Sequence, residues 1–142
     1  MISKFVSGSE EEFVKQMNEK AHKLGMKNST FNNPSGLDET DGNYSSSYDM
    51  ALLMREALKY EEFRRITSTK KYKLKTNYKT YIWNNKNKLL ANYFIIGGKT
   101  GYTKKAGRTL VSAANIDNNT FIVVTIKDSD DWNTHLSLYD TI

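Results

Sequence analysis

The sequence contains no cysteine and a single proline, Pro34, in 142 residues. The absence of cysteine excludes disulfide bonds and metal sites built from thiolates. No apolar run approaches the roughly 18 residues that a membrane-spanning helix needs, and residues 1–10 hold no apolar stretch long enough for a signal peptide. We therefore expect a chain without a signal or membrane segment of its own.

Histidine is scarce as well, with two residues, His22 and His135, far apart in the chain. Two distant histidines without a third ligand argue against a zinc site. The acidic cluster at Asp128, Asp130 and Asp131 lacks the spacing and the final glutamate of a calcium-binding loop, and fits a helix N-terminus enriched in acids. We expect no metal and no cofactor, an exposed His22 and a partly buried His135.

The residues that are present indicate one globular domain with a basic surface. Hydrophobic residues make up 38% of the sequence and the formal net charge is +5, which is typical of a folded chain rather than a disordered one. The densest basic stretch, residues 70–79, alternates lysine with tyrosine and leucine, and predicts a strand with a solvated basic face. Because the aromatic residues alternate within strands instead of forming a stacking platform, we expect no nucleic acid partner.

Helical periodicity dominates the first half of the chain. A helix is predicted at residues 10–24, since Ser9 with Glu12 fits a capping box and Gly25 is a natural stop. Residues 28–43, rich in Asn, Ser, Gly and Asp, predict a loop. Further helical segments are predicted at 48–60 with Ser47 as N-cap, at 61–66, and at 131–142, where Trp132, Leu136 and Tyr139 share a face.

Strand patterns fill most of the second half, and the predicted strands lie at 71–78, 80–83, 97–102, 109–116 and 120–127. The last two are expected to form a hairpin around Asp117-Asn118-Asn119. The run from Phe121 to Val124 is nearly continuous in apolar residues, as in a central strand covered on both faces. Helices, then antiparallel strands, then a closing helix predict an α+β chain.

The segment Gly97-Gly98-Lys99-Thr100-Gly101-Tyr102-Thr103 carries the chemistry. A cation, a hydroxyl and unhindered backbone amides on one strand suit an anionic, peptide-like ligand laid alongside as an extra strand. The two glycines before the lysine are expected to let another backbone, or a ligand, approach closely. Lys-Thr-Gly is also one of the three motifs of β-lactamases and penicillin-binding proteins, although a tripeptide alone is weak evidence.

The surroundings of this motif strengthen it, because further blocks occur in a fixed order: Asn33-Pro34-Ser35-Gly36-Leu37, Tyr44-Ser45, Asp49-Met50-Ala51-Leu52-Leu53, Glu62-Phe63, Ser68-Thr69-Lys70, Ala106-Gly107 and Leu110-Val111. In this order and spacing the chain resembles the serine-type D-alanyl-D-alanine carboxypeptidases, the low-molecular-weight penicillin-binding proteins. The resemblance runs from about Ser9 to Ile142. It implies a partial β-lactamase/transpeptidase-like fold, with an antiparallel sheet, helices of the helical subdomain and a C-terminal helix.

The resemblance also implies roles for individual residues. Lys99 would bind the substrate carboxylate, and Thr100 would hydrogen-bond it, with Gly101 and Thr103 completing the substrate-binding segment. The backbone N–H of Tyr102 would be one donor of the oxyanion hole, a contact that stabilises the transition state by roughly 3–4 kcal/mol in a well-studied protease. The implied partners are peptidoglycan stem peptides and β-lactams, at the outer face of the bacterial cytoplasmic membrane.

Two departures from the family pattern limit what the chain does alone. The literal Ser-x-x-Lys match at Ser68 precedes a strand pattern instead of opening an apolar helix, and no Ser-x-Asn motif occurs. We therefore predict that residues 1–142 are the C-terminal portion of a catalytic domain, without the nucleophile, and that the chain is inactive. Relatives also carry an arginine after the last strand; here Lys127 and His135 are the cations that could substitute for it.

Other interpretations stay open at this stage. The chain could be a catalytically dead peptide-binding module or a remnant of a β-lactamase-like enzyme, although the Asn33-Pro34-Ser35-Gly36-Leu37 and Tyr44-Ser45 blocks favour the carboxypeptidase. Arg108, which opens a strand, is expected at the surface or near the cleft mouth. Because a partial sheet exposes strand edges that template pairing with other chains, a homo-oligomer is also expected.

Overall fold

A computed structural model describes residues 1–38 and 42–142. Its elements in chain order are α1 (Ile2–Ser7), α2 (Glu10–Lys23), α3 (Ser47–Ala57), α4 (Glu61–Ser68), β1 (Lys71–Lys75), β2 (Thr80–Asn84), a 3₁₀ turn (Lys88–Ala91), β3 (Ile95–Thr103), β4 (Gly107–Ile116), β5 (Asn119–Ile126) and α5 (Asp131–Tyr139). The predicted α+β class and antiparallel strands are confirmed. The short helix α1 was not predicted, and residues 39–41 of the predicted loop lie outside the described residues.

Side-chain caps set the starts of the first two long helices. The hydroxyl of Ser9 accepts the N–H of Glu12 at 3.0 Å, as the capping-box pattern predicts. Helix α3 is capped by Ser46, whose hydroxyl accepts the N–H of Asp49 at 3.2 Å. The predicted cap, Ser47, is instead the first helical residue; in a run of three serines the pattern does not distinguish which one adopts the extended cap conformation.

The main sheet has the strand order β3–β4–β5, with all pairs antiparallel. Strand β4 lies in the middle and is its most buried part. The prediction that residues 121–124 form a central strand is wrong for the described part of the chain, where β5 lies at an edge. Both faces of β5 are nevertheless packed, with Phe121 and Val123 on one side and Ile122 and Val124 on the other. A continuous apolar run indicates that both faces of a strand are covered. It does not indicate whether another strand pairs with each of its two edges.

Two layers of helix cover this sheet. On the side that we call the α5 face, Leu110 and Ala114 pack with Tyr139 of α5 and with the 3₁₀ turn. On the opposite side, the α3 face, Val111 and Ala113 pack against Met54 of α3 and Phe63 of α4. The alternation of side chains along β4 therefore divides the core into two clusters, one on each face.

A buried polar network anchors α5 to the sheet. His135 is fully buried, with its Nδ1 2.7 Å from the Ser112 hydroxyl and its Nε2 3.1 Å from the Thr125 hydroxyl. Ser112 in turn lies 2.8 Å from the hydroxyl of Tyr139. His135 is thus more buried than the sequence predicted. Its burial is possible because β4 and β5 each place a hydroxyl within hydrogen-bonding distance of the ring.

The acidic residues at the start of α5 are not all solvated. Asp131 is buried and forms an ion pair with Arg108 of β4, whose guanidinium also lies 5.5 Å from the centre of the Trp132 ring. The sequence predicted only that Asp131 places a negative charge at the N-terminus of a helix. Asp131 also binds a residue of the sheet. Arg108, which was expected at the surface or near the cleft mouth, is partly exposed and ties β4 to α5.

Strands β1 and β2 form a separate two-stranded hairpin whose strand residues are almost all exposed. The cross-strand pair Tyr72 and Trp83 stacks at 6.2 Å between ring centres, and Tyr81 stacks on Trp83 at 5.3 Å. A stacked aromatic surface is therefore present, contrary to the sequence argument, because pairing between strands aligns rings that merely alternate in sequence. The absence of a nucleic acid partner stays a prediction.

Candidate functional site

Lys99, Thr100 and Gly101 lie in β3, at the edge of the three-stranded sheet. Within the described ranges β3 pairs with β4 alone, so its other edge offers unpaired backbone groups. The Lys99 side chain is exposed and Thr100 is half-buried. A strand edge with a neighbouring cation and hydroxyl has the groups needed to add an extended peptide as a further strand.

The two glycines before Lys99 are required by protein packing on both sides of β3. A side chain at Gly97 would meet the hydroxyl of Thr67 from α4 at 2.5 Å. One at Gly98 would collide with the carbonyl oxygen of Val111 and lie 3.0 Å from the side-chain nitrogen of Asn87. The sequence prediction of a close approach is confirmed, but the approaching groups are α4, Asn87 and the β4 backbone.

Asn87 has a further property that sequence reasoning missed. Its carbonyl oxygen accepts the N–H of Leu89 at 3.1 Å and so caps the 3₁₀ turn. Its buried Nδ2 has no hydrogen-bond partner among the residues that the structure describes. Three asparagines lie at positions 84, 85 and 87, and which of them faces Gly98 depends on how this segment packs against β3.

The segment of the sequence that contains Lys99 has basic charged residues only. Between Phe63 and Ile116 every charged residue is a lysine or an arginine, thirteen in all. The Lys99 ammonium donates to the carbonyl oxygen of Thr100. Because no acid in this segment competes for the lysine, an anionic ligand would find its charge available. The overall net charge does not show that the acidic residues all lie outside this segment, whereas a count of charges segment by segment does.

The other predicted site residues continue along the same strand. Tyr102 is exposed and is paired with Arg108 across the ladder. The hydroxyl of Thr103 accepts the N–H of Ala106 at 3.0 Å, which engages it in the turn between β3 and β4. The roles assigned to the Tyr102 backbone N–H and to Thr103 stay predictions, and the hydroxyl of Thr103 would have to leave the turn to contact a ligand.

The cations considered as substitutes for the missing arginine differ sharply in position. His135 is buried and uses both ring nitrogens within the α5 network, so its proposed role in binding a carboxylate is wrong. Lys127 is exposed and follows β5 directly, with a positive φ of 58°. Of the two, Lys127 is the one that a ligand can reach.

Ser68, the serine of the literal Ser-x-x-Lys match, ends α4 instead of starting a helix. Its hydroxyl donates to the carbonyl oxygen of Arg65 at 3.3 Å, the usual arrangement for a serine in the last turn. The strand β1 begins three residues later, at Lys71. This placement agrees with the sequence argument against Ser68 as a nucleophile.

Other motif blocks build the scaffold around α3. The buried carboxylate of Asp49 accepts the N–H of Asn28 and the hydroxyl of Ser29, both at 2.7 Å. The hydroxyl of Ser29 also lies 2.8 Å from that of Ser45. These bonds hold the loop after α2 against the start of α3, so the Tyr44-Ser45 and Asp49 blocks have a structural explanation.

The described residues contain no group of three or more histidine, aspartate or glutamate side chains placed to hold a metal ion. Across the same residues, no helix has both the length and the apolar character needed to cross a bilayer.

Comparison with known proteins identifies relatives along almost the whole chain. Residues 1–130 match the family model described as D-alanyl-D-alanine carboxypeptidase. The chain is 46% identical over 125 residues to the D-alanyl-D-alanine carboxypeptidase DacF of Bacillus subtilis, covering 87% of this chain and 32% of that protein. It is 34% identical over 118 residues to DacA of Escherichia coli, covering 80% of this chain and 28% of that protein.

Solved structures give the same result for the fold. A crystal structure of the D-alanyl-D-alanine carboxypeptidase from Mycobacterium tuberculosis superimposes with a TM-score of 0.86 at 28% identity, over 96% of this chain and 55% of that one. The Streptomyces K15 DD-transpeptidase superimposes with a TM-score of 0.76 at 32% identity, over 82% of this chain and 47% of that one. The chain thus spans about a third of the curated relatives named above and about half of the solved chains. Since the family model covers most of its length, the chain belongs to the D-alanyl-D-alanine carboxypeptidase family.

Proposed function

We propose that residues 1–142 form the C-terminal, substrate-binding portion of the catalytic domain of a serine-type D-alanyl-D-alanine carboxypeptidase. The observation that carries the proposal is the exposed Lys99 beside the unpaired edge of β3. A stem peptide ending in D-Ala-D-Ala would lie along this edge, hydrogen-bonded by backbone groups of β3. Its carboxylate would meet the basic surface around Lys99.

The chemistry of the whole enzyme needs a serine that this chain does not provide at Ser68. In the proposed reaction the serine oxygen attacks the carbonyl carbon between the two D-alanines, and the terminal D-alanine leaves with a proton. Water then hydrolyses the acyl-serine ester and regenerates the hydroxyl. The Tyr102 backbone N–H is proposed to stabilise the oxyanion in both steps. The proposed place of the enzyme is the outer face of the bacterial cytoplasmic membrane.

The 142-residue chain is expected to form no covalent complex with penicillin, because no serine–lysine pair is available to form an acyl-enzyme. The measurement is incubation with a fluorescent penicillin followed by a denaturing gel, with a complete carboxypeptidase as the positive control. A labelled band that disappears in Ser68→Ala would identify Ser68 as the nucleophile and overturn this part of the proposal.

Peptide binding tests the site itself. Titration of the isotope-labelled chain with diacetyl-L-lysyl-D-alanyl-D-alanine is expected to shift the amide resonances of β3, with weak, millimolar affinity. Lys99→Ala should weaken this binding at least fivefold, since it removes the cation beside the strand edge. Lys104→Ala, in the exposed turn after β3, is the matched control and should bind like the wild type; equal losses in the two variants would refute the assignment of Lys99.

A catalytically dead peptide-binding module is the second candidate. The unpaired β3 edge favours it, because strand addition needs backbone groups and no nucleophile. It predicts the same titration result but no penicillin labelling even in the longest polypeptide encoded by the gene. The homo-oligomer expected from the sequence also stays a prediction, and β5 is a second strand edge at which it could form.

A further inference from the structure

The hairpin of β1 and β2 presents a row of aromatic rings on one of its faces. Ladder partners share a face and so do alternate residues of a strand, so Tyr72, Trp83 and Tyr81 lie on the same side. The planes of Tyr72 and Trp83 differ by 19°, and those of Trp83 and Tyr81 by 7°. Among the described residues neither core cluster includes these rings, and Trp83 is 50% exposed. The row is therefore held together by its own stacking and is open to a ligand.

A groove lies between this row and the end of α4. It has a volume of about 430 Å³, and its lining consists of Arg65, Ile66, Thr69, Tyr72, Trp83, Asn84 and Asn85. The Ile66 side chain is 58% exposed although it is apolar. Binding sites for ligands typically combine apolar and aromatic walls with a few polar groups, as this groove does. The groove therefore suits a ligand that has an apolar face and hydrogen-bonding edges.

Cations lie at both ends of the aromatic row. The Lys79 ammonium is 4.6 Å from the centre of the Tyr81 ring, which is a cation–π contact. At the other end, Arg65 lines the groove together with Tyr72. The Nε and one terminal nitrogen of Arg65 bind Glu62, and its other terminal nitrogen has no hydrogen-bond partner within the described ranges. Carboxylates of a ligand that follows the row therefore meet a cationic donor at each end.

The remaining lysines of the hairpin strands lie away from the row. Lys71, Lys73 and Lys75 occupy the alternate positions of β1 and so lie on the opposite face. A nucleic acid strand carries one phosphate for each base, so it needs cations along the whole of an aromatic row. A polysaccharide with widely spaced carboxylates needs cations only at intervals. The spacing of charge on the hairpin therefore favours an acidic glycan over a nucleic acid.

We propose that this groove binds a glycan strand of peptidoglycan, with sugar rings packed against Tyr72 and Trp83. The C–H groups of a pyranose ring form an apolar face that suits an aromatic side chain, and its hydroxyl and N-acetyl groups suit the polar lining. Carboxylates attached to the glycan bind Lys79 and Arg65. This inference rests on the proposed function, which makes peptidoglycan the substrate, and it adds a second contact outside β3. Two linked contacts raise the effective concentration of a stem peptide at β3.

The test is a titration of the folded, isotope-labelled chain with two saccharides. One is a tetrasaccharide of alternating N-acetylglucosamine and N-acetylmuramic acid, which carries carboxylates, and the other is neutral chitotetraose. The chain has two tryptophans; the indole N–H resonance of Trp83 should shift with either saccharide, while that of Trp132, beside Arg108, should not. The acidic saccharide should bind about threefold more tightly, and concentrated salt should remove this difference.

Variants separate the groove from the folding of the hairpin. Tyr72→Ala removes one ring and should weaken the binding of both saccharides about tenfold. Ile66→Asp changes the helix side of the groove without altering the hairpin, and should weaken the acidic saccharide most because it adds a like charge. Tyr78→Ala and Tyr93→Ala remove tyrosines that are 97% exposed and lie outside the groove, and should bind like the wild type.

A matched pair of lysine variants tests the arrangement of charge. Lys79→Met should reduce the preference for the acidic saccharide and leave the affinity for chitotetraose nearly unchanged, because the ammonium at the end of the row is lost. Lys73→Met makes the same chemical change on the opposite face and should keep the preference. Equal loss of the preference in the two variants would show that net charge alone attracts the ligand, and would overturn the proposed arrangement.

The outcomes distinguish this proposal from the one on which it rests. If the D-alanyl-D-alanine peptide shifts β3 and neither saccharide shifts Trp83, the peptide site stands and the glycan groove is overturned. If the saccharides shift Trp83 and the peptide leaves β3 unchanged, the groove is supported and the peptide site fails. Tighter binding of oligothymidylate at Trp83 would assign the groove to single-stranded nucleic acid. Shifts of Trp83 that follow protein concentration alone would assign it to a second copy of the chain, and either result overturns the proposal.

Discussion

Gly98→Ala is expected to destabilise the chain by about 3 kcal/mol, because the added Cβ would have no free space. It would collide with the carbonyl oxygen of Val111 and lie 3.0 Å from Asn87 Nδ2. The first obstacle is backbone of the buried central strand, which can give way only if β3 and β4 separate. The measurement is urea denaturation followed by circular dichroism, with the midpoint and slope fitted together.

Gly101→Ala is the matched comparison. There the atom in the way is the hydroxyl of Thr109, which can rotate aside, so the expected loss is about 1 kcal/mol. In Thr109→Ala the obstacle is gone, and adding Gly101→Ala to that variant should cost less still. Equal denaturation midpoints for Gly98→Ala and the wild type would show that β3 lies further from β4 than the structure places it.

Acidification is expected to remove about 3 kcal/mol of stability between pH 6.5 and pH 4 through His135 alone. Burial lowers the pKa of this imidazole from its ordinary 6.5 to about 4. In this range the unfolded chain binds a proton at His135 and the folded chain does not, so unfolding becomes progressively more favourable as the pH falls. The contribution is complete above pH 6.5 and levels off below pH 4.

The hydrogen bonds of the network agree with a neutral ring. With the proton on Nδ1, His135 donates to Ser112, Thr125 donates to Nε2, and Ser112 donates to Tyr139. A neutral ring therefore satisfies both of its nitrogens without placing a charge in this buried site. Burial also raises the pKa of the Tyr139 phenol.

His135→Gln isolates this effect, because glutamine can hydrogen-bond but does not titrate. The variant should be less stable than the wild type at pH 7, and its stability should vary much less between pH 6.5 and pH 4. His22→Gln, at an exposed position of α2, should leave the wild-type profile unchanged. Parallel pH profiles of the wild type and His135→Gln would contradict the assignment.

The candidate site divides into a part that the sequence predicts and a part that it does not. Lys99, Thr100 and Gly101 were identified from a motif, and the strand that carries them was located to within two residues at each end. The close approach of Thr109 to Gly101 was not predicted, since these residues are eight positions apart and meet only because β3 pairs with β4. No local sequence pattern indicates that Gly101 on β3 leaves room for the hydroxyl of Thr109 on β4.

The sequence alone determined the α+β class, the hairpin of β4 and β5, the serine cap of α2 and the family resemblance, all of which depend on local periodicity, turn residues or motif order. Only the tertiary structure decided that β5 lies at a sheet edge, that the hairpin of β1 and β2 is exposed, and that His135 is buried. It also decided that Gly97 and Gly98 accommodate Thr67 and Val111. The physical reason is the same in each case: burial and close contact depend on which distant segments pack together, and the same alternating pattern fits a covered or an open face.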